Sequence, residues 1–112
     1  MMELTSLSNT LWASPQIFET DLADLAKDGY TDVNCYRPDD ENPEETSSVR
    51  IAQAYDVHGL SFHYHPIVPG EPFEDQAKAL TELMSKPNIK ICAYCRSGAR
   101  ATKTFTQACL IV

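Results

Sequence analysis

Apolar and polar positions follow two rhythms along this chain, and the rhythms take turns. Leu7, Leu11 and Trp12 punctuate an extended run from Ser6 to Ser14, which Pro15 closes. In ETDLADLAKDG, Leu22, Leu25 and Ala26 recur at helical spacing, and Gly29 stands where such a helix stops. YTDVNCY then reads as a short strand, with Pro38 and the acids behind it forming a loop. Thr46 or Ser47 caps the next helix, SSVRIAQAYDVHG, with Val49, Ile51 and Ala52 turned inward and Gly59 at its end. LSFHYHPIV is a third strand closed by the PGEP turn. FEDQAKALTELMSK is an amphipathic helix, with Phe73, Ala77, Leu80 and either Leu83 or Met84 on one face. NIKICAY is a fourth strand, and a last helix runs from about Ala99 to the end. Alternation of this kind predicts an α/β fold, a mainly parallel sheet of four to five strands with helices on both faces. At 112 residues the chain is read as a single domain, 1–112.

Composition narrows the function. No window approaches the run of roughly 18 apolar residues that a membrane helix needs. The N-terminal MMELTSLSNTLW carries no basic run or continuous apolar segment, so a cytoplasmic location is expected. Net charge is −7, unfavourable for a nucleic-acid partner, whose binding depends on neutralising phosphates. Five carboxylates crowd the seven residues Asp39 to Glu45, expected to be a solvated loop, whereas Lys90 to Val112 hold four basic residues and no acid. A basic end on an acidic chain suits a small anion held in one place.

That end contains ICAYCRSGARATKTF, where an apolar strand runs into Cys95 and then a glycine loop and a helix. In open α/β sheets ligands bind at the carboxyl ends of strands. Gly98 lets the backbone curl so that the N–H groups of Arg96, Ser97, Gly98, Ala99 and Arg100 form an anion nest at a helix N-terminus. The same field favours a thiolate, which makes Cys95 the candidate nucleophile. Arg96 and Arg100 add charge, and Arg100 can offer a planar fork to two oxygens of an oxyanion. Ser97 and Thr102 are hydroxyl donors available to the thiolate or to a leaving sulfur.

AYCRSGAR resembles the active loop of the beta-lactamase-hydrolase-like protein, phosphatase-like domain family, whose fold is like that of small dual-specificity and protein-tyrosine phosphatases. QIFETDLADLAKDGYTDVNCYRPDDENPEE is similar to that family's opening helix, strand and Arg-Pro-acid loop, and YHPIVPGEPFEDQAKAL to its later strand, turn and helix. The resemblance covers nearly the whole chain. It implies a Cys95 nucleophile, with the 96–100 backbone and Arg100 as anion cradle. Phosphatases of this fold place five residues between Cys and Arg, usually with His before the Cys; here four separate Cys95 from Arg100, and residue 94 is Tyr. A short Cys-Arg-Ser-Gly-x-Arg loop also resembles rhodanese sulfurtransferases. Relatives of the domain occur joined to enzymes that oxidise persulfides, so such an enzyme is a candidate partner.

The leading expectation is therefore sulfane-sulfur transfer through a Cys95 persulfide, from an anionic donor such as a persulfide or thiosulfate. The alternative is phosphomonoester hydrolysis through a phosphocysteine; a third reading is a non-catalytic anion-binding or docking module. A phosphatase needs a general acid, with Glu71, Glu74 and Asp75 as candidates. Arg37 and His65 are possible accessories at the pocket mouth. No cofactor or metal is called for. His63 and His65 match no trusted zinc spacing, and Cys92 with Cys95 on an extended strand sit roughly 10 Å apart, too far for a disulfide. Cys35 and Cys109, among apolar neighbours, are expected in the core.

Overall fold

The computed structural model describes residues 4–41, 48 and 59–111. Strands β1 (Thr5–Ser6), β2 (Leu11–Ser14), β3 (Asp32–Cys35), β4 (Ser61–Tyr64) and β5 (Ile91–Tyr94) form one sheet in the order β1-β2-β5-β3-β4. The pairs β2–β5, β5–β3 and β3–β4 are parallel, and β1–β2 is antiparallel. Helices α1 (Leu22–Lys27), α2 (Glu74–Met84) and α3 (Ala99–Ile111) accompany it, with 3-10 turns at Glu19–Asp21 and Asp39–Glu41. The α/β architecture and the mainly parallel sheet are thus as expected. The helix placed over SSVRIAQAYDVHG lies outside the described residues apart from Ser48 and Gly59. Among the described residues no helix is long and apolar enough to cross a membrane.

The chain divides its apolar residues between the two sheet faces. Leu11, Ala13, Ile91 and Ala93 pack with Ala77, Leu80 and Leu83 of α2 and with Ala101 and Ala108 of α3. Val33, Cys35, Cys92 and Tyr94 point the other way, onto Leu22 and Leu25 of α1. Every residue of β3 and β5 is buried, as a central parallel strand covered on both faces requires. Gly29, at φ +89°, closes α1 in the left-handed region that favours glycine.

Two expectations about packing are corrected. The run Ser6 to Ser14 is a tight hairpin instead of one strand: the N–H groups of Leu7 and Ser8 both donate to the Leu11 carbonyl, at 2.9 and 3.2 Å. Its Ser8-Asn9-Thr10 centre is polar, and the Ser8 hydroxyl accepts from the Thr10 N–H at 3.2 Å. Cys109 is exposed on α3, not in the core, since Ala101, Thr104 and Ala108 take the buried stripe of that helix. Leu110 is 74% exposed.

Candidate active site

The parallel crossovers put β5 in the middle of the sheet, so its carboxyl end opens between the loops that follow β2 and β3. Cys95 is the first residue past that end. Its N–H donates to the Ser14 carbonyl at 3.4 Å, and the Arg96 carbonyl accepts from the Gln16 N–H at 3.2 Å, so the turn after β2 holds the loop on one side. Gly98 turns the chain back with φ +94°, and its N–H donates to the Cys95 Sγ at 3.0 Å. The expected curl of the loop is therefore present, and Cys95 is only 1% exposed.

The hydroxyls act differently from expectation. Thr102 donates from its Oγ1 to the Gly98 carbonyl at 3.0 Å, and Ser97 Oγ accepts from the Ala99 N–H at 3.4 Å. Both brace the loop backbone and neither is bonded to the sulfur. Arg96 is exposed on the rim.

Arg100 is half-buried in the first turn of α3, and the fork made by its two Nη groups meets Glu41. Nη1 donates to Glu41 Oε2 at 2.9 Å and to the Ile67 carbonyl at 2.9 Å, and Nη2 donates to Glu41 Oε1 at 2.7 Å. Hydrogen bonding to Arg100 holds the Glu41 carboxyl below the usual range, with the charges of Arg37 and Arg96 adding to the effect. The Glu41 bond in turn raises Arg100 further. Glu41 belongs to the acidic run expected to be solvated, so that expectation fails at this residue. Asp39 also departs from it, accepting from the N–H and hydroxyl of Ser48 at 2.7 and 2.6 Å.

Arg37 does come to the same mouth. It is 9% exposed, donates from Nη1 to Gln16 Oε1 at 3.0 Å and from Nη2 to the Glu41 carbonyl at 2.7 Å, and holds its Nε 3.7 Å from Glu41 Oε1. Glu41 and Gln16 thus stand beside Arg37 at this mouth, residues that the sequence pattern does not single out. The signal available was the Arg37–Glu41 spacing of four on RPDDE; nothing local pointed to Gln16.

The other candidates separate. His65 follows β4, at the sheet edge, two strand spacings or roughly 10 Å from β5. Its ring stacks on His63 with centroids 6.3 Å apart, and His63 Nε2 in turn lies 2.6 Å from Asp32 Oδ2. The expectation that His65 borders the thiol pocket is therefore not met, because the strand order puts β3 between them. Burial lowers its pKa, and the neighbouring His63 adds to this. Of the three candidate acids, Glu71 lines a cavity of about 340 Å³ together with Arg100, Lys103, Ile67 and Phe73. Glu74 borders a smaller hollow with Gln107, and Asp75 lies exposed in the first turn of α2. Cys92 packs on the sheet face opposite Cys95, and burial pushes its thiol up to about 12. Among the described residues no three His, Cys, Asp or Glu side chains converge as a metal site would need.

The family model described as "Beta-lactamase hydrolase-like protein, phosphatase-like domain" matches residues 3–110. No curated protein matches the chain significantly. Among solved structures, a candidate phosphatase of Neisseria meningitidis is similar at 26% identity and TM-score 0.78, over 89% of this chain and 71% of that one. A candidate phosphatase of Shewanella putrefaciens is similar at 16% identity and TM-score 0.80, over 96% of this chain and 68% of that one. The TpbA protein of P. aeruginosa, solved as a C132S variant with phosphotyrosine, aligns at 14% identity and TM-score 0.59, over 85% of this chain and 54% of its own. The chain therefore spans about two thirds of the first two structures and about half of the third.

Proposed function

The chain belongs to the beta-lactamase hydrolase-like protein, phosphatase-like domain family, and from that premise we propose that it is a cysteine-dependent phosphomonoester hydrolase. The observation that carries the reading is the Gly98 N–H on the Cys95 sulfur, 3.0 Å away, at the carboxyl end of the central strand and beside Arg100. The Cys95 thiolate attacks phosphorus, the S–P bond forms and the ester P–O bond breaks. Glu71, the acid sharing a cavity with Arg100, gives its proton to the departing oxygen. The Glu71 carboxylate then takes a proton from water, which attacks the phosphocysteine; the P–S bond breaks and inorganic phosphate leaves. Arg100 and the N–H groups of the loop stabilise the equatorial oxygens.

One observation favours a second reading, sulfane-sulfur transfer. Only four residues separate Cys95 from Arg100, a ring better sized to a single sulfur than to a phosphoryl group. Here Cys95 attacks the outer sulfur of thiosulfate, the S–S bond breaks and sulfite leaves with its electron pair. A thiolate acceptor then takes the outer sulfur from the Cys95 persulfide. This route needs no general acid, and a persulfide-oxidising enzyme would be a fitting partner.

Intact-protein mass spectrometry with an aryl phosphate in one arm and thiosulfate in the other, using Cys95→Ser as control, separates the readings. Phenolate release lost in the variant supports hydrolysis. A gain of about one sulfur that a thiol discharges supports transfer. Neither reaction in the native chain would leave an anion-binding or docking module.

A further inference from the structure

We propose that Glu41 is a positioning residue of the anion site, which fixes the plane of the Arg100 guanidinium so that its remaining edge meets the oxyanion. The inference rests on the reading that the Cys95 loop binds an oxyanion. A guanidinium carries its N–H donors in one plane. The two Nη groups of Arg100 meet Glu41 Oε2 and Oε1, at 2.9 and 2.7 Å, and Nη1 donates a second time to the Ile67 carbonyl at 2.9 Å. These bonds come from two separate loops, after β3 and after β4, and hold the plane against rotation. They leave the Nε–H and the second Nη2–H side by side along one edge, a pair suited to two oxygens of a phosphate or a thiosulfate.

Glu41 is held in its turn. Its carbonyl accepts from Arg37 Nη2 at 2.7 Å, its N–H donates to the Pro38 carbonyl at 3.0 Å, and the buried Arg37 keeps its Nε 3.7 Å from Glu41 Oε1. Arg37 Nη1 bonds Gln16 Oε1 at 3.0 Å, and the Gln16 N–H donates to the Arg96 carbonyl at 3.2 Å. The contacts therefore form a closed circuit, from the thiol loop through Gln16, Arg37 and Glu41 back to Arg100 on the same loop. Charge alone disfavours a carboxylate here, because it offsets part of the cation that attracts the anion. Without that carboxylate, however, Arg100 has to be ordered when the anion binds, which costs affinity. The two effects have opposite signs, so the response to substitution shows which one governs.

The test is titration calorimetry of inorganic phosphate into the native chain, Glu41→Gln and Glu41→Asp, joined to NMR of the arginine side-chain N–H groups. Arg100→Lys assigns the Arg100 signals, and circular dichroism establishes that each variant is folded; should Glu41→Gln not fold, Glu41→Asp decides alone. Glu41→Asp keeps the charge but is one methylene short of Arg100. Both variants are expected to bind phosphate roughly three- to tenfold more weakly than the native chain. In the native chain phosphate should shift the Arg100 Nε–H signal while separate Nη signals persist; in the variants the Nη signals should merge as the group turns freely. Unchanged or tighter binding in a folded variant would overturn the inference and leave only the charge of Glu41. Weaker binding with the separate Nη signals retained would overturn it too, because Glu41 would then support the loop and not the guanidinium. Phosphate binding to none of the chains would remove the oxyanion site and the inference together. Because binding is read without turnover, weaker binding and merged signals in variants of a chain that hydrolyses no ester would sustain this inference while removing the enzymatic one.

Discussion

Arg100 and Glu41 lie 59 residues apart in sequence and meet through both carboxylate oxygens, at 2.9 and 2.7 Å. That pair joins the thiol loop to the Arg-Pro-acid loop after β3, and most of what can be tested in this site runs through it.

Replacing Arg100 by lysine should keep a positive charge and lose the planar fork. A lysine cannot bond both Glu41 oxygens and the Ile67 carbonyl with the same geometry. We expect kcat/KM on an aryl phosphate, or on thiosulfate, to fall by roughly 100-fold or more, the scale of losing a preorganised oxyanion donor. Steady-state kinetics on the folded variant measure this. A loss below about fivefold would remove Arg100 from the transition state.

Acid should weaken the fold through Glu41. Its carboxyl lies below the ordinary 4.5 because Arg100 bonds the charged form. A group with a depressed folded pKa contributes stability that is fully present above its unfolded pKa and is lost as pH falls through the folded value. The melting temperature of the native chain should therefore drop more steeply below about pH 4.5 than that of Glu41→Gln. Parallel acid limbs in a thermal-melt series would show that the ion pair does not hold the folded state.

Gly98→Ala should damage the loop through its backbone. The φ of +94° is one that L side chains rarely adopt, while an added Cβ would stand 3.6 Å from the nearest atoms, the Ser14 carbonyl carbon and oxygen, an ordinary contact. The penalty is thus conformational, about 1–2 kcal/mol in chemical denaturation. Relief of the strain by a shift in φ would also move the N–H that bonds the Cys95 sulfur, so activity should fall by more than stability alone explains. Full activity would mean that this N–H bond is dispensable.

Thiol labelling should follow burial rather than motif. Cys109 is exposed and should react first with a disulfide reagent, while Cys35 and Cys92 should stay silent until the chain unfolds. Burial raises both of these buried thiols, Cys92 to about 12. Mild oxidation should not join Cys92 to Cys95, because they pack on opposite faces of the sheet. A Cys92–Cys95 crosslink found by peptide mapping of the folded chain would contradict that placement.

Leu80→Ala removes one of the fully buried side chains between α2 and the sheet. A loss of about 2–5 kcal/mol in urea unfolding is expected, without change in the spectroscopic signature of the folded state. A loss under about 1 kcal/mol would place the α2 contact outside the cooperative core.

Local pattern was enough to place most of the described strands and helices along the chain, because side-chain period and turn residues act over a few positions. It was enough to put Cys95 at the end of a strand and before a helix, and to make Gly98 the residue that turns the chain. Cys92 and Cys95, three apart on and just past a strand, fall on opposite faces by the same arithmetic. The hairpin at Ser8–Thr10 is legible in its polar residues, yet the apolar positions around it fit one extended strand equally well. What the sequence could not rank was the order of strands, which follows from how the crossovers pack rather than from any one segment. That order moved His65 to an edge two strands from the thiol and brought the loops after β2 and β3 to the mouth of β5. Glu41, read as one acid in a solvated run, became the partner of Arg100 for that reason. An ion pair across 59 residues has no local signature; only the folded sheet brings its two halves within 3 Å.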